Sequence, residues 1–149
     1  MKKIFKLLPM LLIAVLGIAF TSCDNDKDEP ISSSQLPSKA TEFITQYFPS
    51  ERIVSSQKDK DEYEVKLSDG TQIDFNKDGE WIDVDAADGK TLPTGFYPAE
   101  IDNYLAQYFE GQGISEITKV NRGYEVELIT TTEILFGPDG SFIEIGVDR

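Results

Sequence analysis

"DFNKDGEW", residues 74–81, admits two readings. Asp74, Asn76 and Asp78, followed by Gly79, match the opening of a calcium loop, where alternate oxygen side chains converge on one ion, and Asp85 stands at the twelfth loop position. The same letters suit a tight turn between two strands, with Gly79 in the left-handed conformation. The choice decides whether helices or strands flank this stretch, and so decides the fold.

A second copy of the stretch discriminates. "ITQYF" at residues 44–48 recurs as "LAQYF" at 105–109, and "YEVKL" at 63–67 recurs as "YEVEL" at 124–128, both with a shift of 61 positions. The same shift carries Leu36-Pro37 onto Tyr97-Pro98, Ile73 and Phe75 onto Ile134 and Phe136, and Asp78-Gly79 onto Asp139-Gly140. No gap is needed, which is the signature of a tandem duplication. At residues 135–142 the second copy reads "LFGPDGSF". It keeps the Asp-Gly turn between two aromatics, but Leu135 and Gly137 replace the oxygens of Asp74 and Asn76. What the copies share is turn chemistry. Asp74, Asn76, Asp78 and Asp85 are left as a weak calcium candidate, and no metal or cofactor is expected.

Each unit then reads as a helix followed by an antiparallel meander. Ala40, Phe43, Ile44, Tyr47 and Phe48 recur at helical spacing, as do Ile101, Tyr104, Leu105, Tyr108 and Phe109. Pro37 and Pro98 suit helix starts, and Pro49 and Gly111 mark the exits. Three or four strands follow, with Tyr63, Val65 and Leu67 alternating with Glu64 and Lys66, then Ile73 and Phe75, then Ile82 and Val84. The expected fold is α+β: two tandem units, residues 36–86 and 97–149 joined by 87–96, forming one curved sheet with helices on one face.

The N-terminus reads as an address. Lys2, Lys3 and Lys6 precede an apolar run, residues 7–20, too short for the roughly 20 residues of a spanning helix. It ends in "FTSC", which resembles a lipobox, although Phe20 departs from the usual aliphatic residue. Residues 1–22 are therefore expected to be a lipoprotein signal peptide, with Cys23, the chain's one cysteine, carrying the lipid. Residues 23–35, "CDNDKDEPISSSQ", are acidic and Ser-rich and read as a flexible tether. This address predicts a lipoprotein of a Gram-negative outer membrane, either surface-exposed or facing the periplasm.

Loss of the three N-terminal lysines leaves eleven basic residues against 27 acidic, a formal charge of −16. Nucleic acid and anionic headgroups would repel such a chain, so membrane attachment is expected through the anchor alone. The sequence contains no His. That removes the commonest general base and the Ser-His and Cys-His nucleophile pairs. "DGKT" at residues 88–91 lacks the glycine spacing of a phosphate-binding loop. The reading is of a non-catalytic chain.

The Pro-led helix ending in "YFP", the "YEV" strand and the "DFNKDGEW" hairpin resemble the PepSY-like family of β-lactamase-inhibitor-like domains, in two copies from Leu36 to about Gly146. The resemblance implies helices packed on one face of a curved antiparallel sheet, with the other face free. In the β-lactamase inhibitor protein that free face grips an enzyme, with the help of disulfides that a single cysteine cannot form.

Alternation supplies the candidate contact residues. Tyr63, Val65, Leu67, Ile73, Phe75, Ile82 and Val84 should pack on the helices, leaving Glu64, Lys66, Asp74, Trp81 and Asp83 on the open face. The second unit would add Glu125, Glu127, Ile129, Glu133, Leu135, Phe142 and Glu144 there. Trp81 and Phe142, joined by Leu135 and Ile129 and rimmed by Asp83 and Glu144, would then anchor an unidentified protein partner. A bulge would instead return Trp81 to the core. The function expected is a lipid-anchored protein-binding module that could restrain an enzyme. The alternative is a structural or accessory subunit of an envelope assembly.

Overall fold

The computed structural model describes residues 29–146. The signal peptide, Cys23 and the first part of the tether lie outside the described residues. The elements run β1 (Glu29–Pro30), a 3-10 turn (Ser33–Gln35), α1 (Ser38–Tyr47), β2 (Ile53–Asp59), β3 (Glu62–Leu67), β4 (Gln72–Asn76) and β5 (Trp81–Asp85). They continue with α2 (Ala99–Tyr108), β6 (Ile114–Val120), β7 (Gly123–Leu128), β8 (Glu133–Phe136) and β9 (Phe142–Ile145). All nine strands form one antiparallel sheet in chain order, β1 through β9. The fold is α+β, with a curved open sheet and two helices on one of its faces.

Each helix starts directly after a proline, Pro37 or Pro98. Ala40 and Ile44 of α1, and Ile101 and Leu105 of α2, are buried against the sheet. The facing strand residues include Val65, Ile73, Phe75, Val84, Ile117, Val126, Ile134 and Phe136, each no more than 1% exposed. Complete burial of such a side chain contributes about 1.5–3 kcal/mol. Phe43 meets Phe75 edge-on at 5.8 Å, and Tyr104 meets Phe136 the same way at 5.5 Å.

The "DFNKDGEW" stretch is a turn. Asn76 Oδ1 accepts from the backbone N–H groups of Asp78 and Glu80, each at 3.0 Å, and Gly79 has φ +77°. In the second unit Gly140 has φ +82°. A Cβ on Gly79 would lie 2.6 Å from Pro37 Cβ, and one on Gly140 would lie 2.8 Å from Pro98 Cβ. The turn glycine thus lets each hairpin tip close onto the proline that opens its helix.

The sheet departs from strict alternation at four bulges. Asp74 pairs with Asp83 but Phe75 pairs with Trp81, which leaves Ile82 unopposed. Leu135 pairs with Glu144 but Phe136 pairs with Phe142, which leaves Ile143 unopposed. The pairings of Ile53 to Leu67 and Ile114 to Leu128 shift by one residue in the same way. One inserted residue reverses the facing of everything on its far side. Two expectations are corrected as a result: Trp81 and Phe142 turn toward the helices, and Ile82 drops out of the helix-facing set.

Two connecting stretches are more structured than their composition suggested. In the expected tether, residues 29–30 add β1 to the edge of β2, and Ser32 and Gln35 form a capping box around the 3-10 turn. The joint between units contributes Leu92 to the core and packs Phe96 against it. Phe96 contacts Phe43 at 5.3 Å, Tyr47 at 5.4 Å, Trp81 at 5.2 Å and Tyr97 at 4.9 Å.

Candidate functional site

With both helices on one side, the other side of the sheet remains open, and its side chains are set by the register. One row crosses the strands as Gln57, Glu64, Asp74, Asp83, Thr118, Glu125, Leu135 and Glu144, each cross-strand paired with the next. A second row runs Lys66, Gln72, Asp85, Glu116, Glu127 and Glu133. Like charges therefore stand directly opposite each other at Glu64 and Asp74, Asp74 and Asp83, Asp85 and Glu116, Glu116 and Glu127, and Glu127 and Glu133. Such pairs oppose folding.

The electrostatic consequence is concentrated at Asp74. Burial, then the charges of Asp83, Glu64 and Glu62, push its carboxyl from 3.8 up to about 6. Asp85 is raised as well, by burial first and then by Asp83, Glu127 and Asp88. Asp83 is partly compensated, because Thr118 Oγ1 donates to its carboxylate at 2.5 Å. Arg122 Nη1 meets Glu144 at 3.1 Å, an exposed pair that contributes little to stability. A depression of about 20 Å³ lined by Glu116, Thr118, Glu125, Val126, Glu127 and Glu133 has room for about one water molecule.

The expected contact residues divide between the two faces. Asp83 and Glu144 lie in the acidic row, and Leu135 lies between Glu125 and Glu144 at 2% exposure. Ile129 is exposed beside the hollow at the joint, with Asp85, Glu116 and Glu127. Trp81 is 7% exposed on the helix side, where its ring stacks on Tyr124 at 6.1 Å and lies beneath Lys119 Nζ at 4.1 Å. Phe142 stacks on Tyr104 of α2 at 4.7 Å, with 5° between ring planes. Neither aromatic belongs to the open face. The calcium candidates do not converge either: Asn76 Oδ1 is engaged in the turn, Asp78 is at the tip, and Asp85 is at the far end of β5. Among the described residues no group of three or more acidic, His or Cys side chains is placed to hold a metal ion.

Sequence reasoning placed Glu127 and Glu133 on this face but missed Glu116 and the two-row pattern, which pairs Glu116 with Asp85 and Glu127. The signal was present in "ISEITKV", where Glu116 precedes Thr118 by two positions, as Glu125 and Glu127 alternate in "YEVEL".

Two overlapping stretches, residues 22–71 and 61–144, match the family described as "Putative beta-lactamase-inhibitor-like, PepSY-like". A solved Bacteroides thetaiotaomicron structure, described as a "putative calcium-regulated periplasmic protein", is 29% identical with a TM-score of 0.74, covering 80% of this chain and 96% of that one. A Bacteroides vulgatus "putative periplasmic protein of unknown function" is 29% identical with a TM-score of 0.75, covering 80% and 99%. Another B. vulgatus structure, described as a "putative periplasmic protein", is 28% identical with a TM-score of 0.75, covering 83% and 99%. Among curated proteins, no sequence matches the chain.

Proposed function

The chain belongs to the PepSY-like, β-lactamase-inhibitor-like family, and on that premise we propose that it is a non-catalytic binding module of the bacterial envelope whose acidic sheet face docks a protein with a basic surface. The observation that carries this reading is the opposition of like charges in five pairs across six strands, from Glu64 on β3 to Glu133 on β8, on a face that neither helix covers. That arrangement costs the isolated fold stability, and a cationic surface laid across it would offset the cost and speed encounter. Ile129, 43% exposed, supplies an apolar contact, while Leu135 is already buried between its neighbours; Asp83 and Glu144 stand in the row that the partner would cover.

Two tandem units of one helix-plus-meander type build this face, and a lipid on Cys23 holds the module at the membrane. The periplasmic descriptions of the Bacteroides relatives support an envelope location. Regulation by calcium, as described for the B. thetaiotaomicron protein, would need oxygen ligands that Asp74, Asn76, Asp78 and Asp85 do not bring together. The absence of His from the sequence supports a role by contact rather than by catalysis.

The test is capture from envelope extract by the chain from residue 24 onward and by a variant carrying Glu64→Gln, Asp83→Asn and Glu125→Gln. The reading expects the parent's partners to be lost from the variant and to elute from the parent as salt rises. Unchanged capture by the neutralised face would refute it.

A further inference from the structure

The two edges of the sheet are unequal. On the β9 edge, Phe142 is 42% exposed, Ile143 37% and Ile145 51%, and no further strand pairs with β9 among the described residues. β9 is short, at four residues, but its exposed apolar side chains and unpaired backbone groups still invite pairing. The molecule itself shows what suits this edge, because β5 lies 61 positions before β9 and is fully paired. There Asp83 faces Thr118 and Val84 faces Ile117 of β6, while Lys119 and Tyr124 cover Trp81. In that setting Trp81 is 7% exposed and Val84 0%. Their counterparts Phe142 and Ile145 lack only the following strand.

The strand equivalent to β6 is β2, at the opposite end of the molecule. Ser56, Gln57 and Lys58 correspond to Ile117, Thr118 and Lys119. The outer edge of β2 is taken by residues 29–31. Pro30 faces Gln57, as Asp83 faces Thr118. Ile31 donates its N–H to Ser56 O at 3.0 Å, and its carbonyl accepts from Ser56 Oγ at 3.0 Å. Ile31 also packs against the core. It thus fills the slot on β2 that Val84 fills on β6, and Ile145 is the residue in β9 that would fit the same slot. Pro30 brings no backbone N–H to its own outer side, so β1 ends the sheet instead of extending it.

We infer that β9 is a docking strand for the β2 edge of a second copy of this chain, and that residues 29–31 are a built-in plug that keeps that edge closed. The inference rests on the equivalence of the two units and is independent of what binds the open face. Pairing two β9 strands with each other would bring Glu144 against Glu144, with Glu125 and Glu133 behind. The β2 edge instead presents Ser55, Gln57 and Lys58, and Lys58 would cover Phe142 as Lys119 covers Trp81. This contact is heterologous, so without the plug it propagates head to tail.

Sedimentation of the chain from residue 24 onward tests the inference, since that chain retains the whole described sheet and core. The parent should be monomeric. Ile31→Asp, and separately a chain beginning at Ser32, should form oligomers that grow with concentration, and adding Ile145→Asp to either should return it to monomer. A receiver-only variant, Ile31→Asp with Ile145→Asp, mixed with the parent as donor should give a 1:1 complex. Monomeric Ile31→Asp together with no complex on mixing would overturn the inference. So would a parent dimer that Ile145→Asp abolishes and changes at residue 31 leave untouched, because that is β9 paired with itself.

Discussion

Asp74→Asn should stabilise the fold at neutral pH and lose that advantage in acid. The carboxyl of Asp74 ordinarily titrates near 3.8, and burial with three neighbouring carboxylates raises it to about 6 in the fold. A raised folded pKa means that the folded state binds the proton more tightly than the unfolded chain. Its contribution is fully present below about 3.8 and is lost as pH rises through about 6. Above that value the ionised group is a net burden. At about 1.4 kcal/mol per pH unit, the distance from 3.8 to about 6 sets an upper bound of about 3 kcal/mol. Asp74 is only half-buried, and solvent screening reduces this to about 1–2 kcal/mol. Urea unfolding followed by fluorescence of the single tryptophan, Trp81, provides the assay, with parent and variant compared at pH 8, 6 and 4. Taking the difference cancels the titrating groups that do not interact with Asp74, leaving Asp74 and its coupled neighbours Asp83, Glu64 and Glu62. The variant should be about 1–2 kcal/mol more stable at pH 8, and the gap should close toward pH 4. A gap that does not change with pH, or a variant less stable at pH 8, would refute the account of the acidic row.

Trp81→Ala should cost about 3–5 kcal/mol, and Phe142→Ala clearly less, because Trp81 is 7% exposed and Phe142 42%. Urea unfolding followed by circular dichroism orders the two, and equal costs would contradict their placement. Gly79→Ala forces a positive φ on a residue with a side chain, worth about 1–2 kcal/mol alone. It also drives a Cβ to 2.6 Å from Pro37 Cβ, so the midpoint should fall by more than φ accounts for. Calcium should raise the melting temperature no more than magnesium at equal ionic strength, since no described cluster is placed to hold either ion; a calcium-selective rise would bring the loop reading back.

The helices, the Asp-Gly turns and the meander order were legible because each has a local cause: 3.6-residue spacing after Pro37 and Pro98, glycines that accept positive φ, and alternation in "YEVKL". The repeat carried the decision on the turn, since Leu135 and Gly137 cannot supply the oxygens of Asp74 and Asn76. The facing of Trp81 and Phe142 was not legible. It depends on bulges at Ile82 and Ile143, and strict alternation assumes that no residue is inserted. Register across the sheet is a non-local property, which is why the acidic rows emerge only once β5 is paired with β6. The edge position of residues 29–31 was hidden for a similar reason. A polar, Ser-rich segment orders there because β2 offers unpaired backbone groups, and no property of the segment itself announces that partner.

The central claim is that the helix-free acidic face is where this protein meets its partner. Carboxyl-directed chemical footprinting on intact cells, compared with the isolated chain, tests it most directly. Protection of Glu64, Glu125, Glu127 and Glu144, with Glu42 and Glu100 on the helices labelled as in isolation, is the predicted result. Protection of Glu42 and Glu100, with the sheet carboxylates labelled equally in both settings, would contradict it.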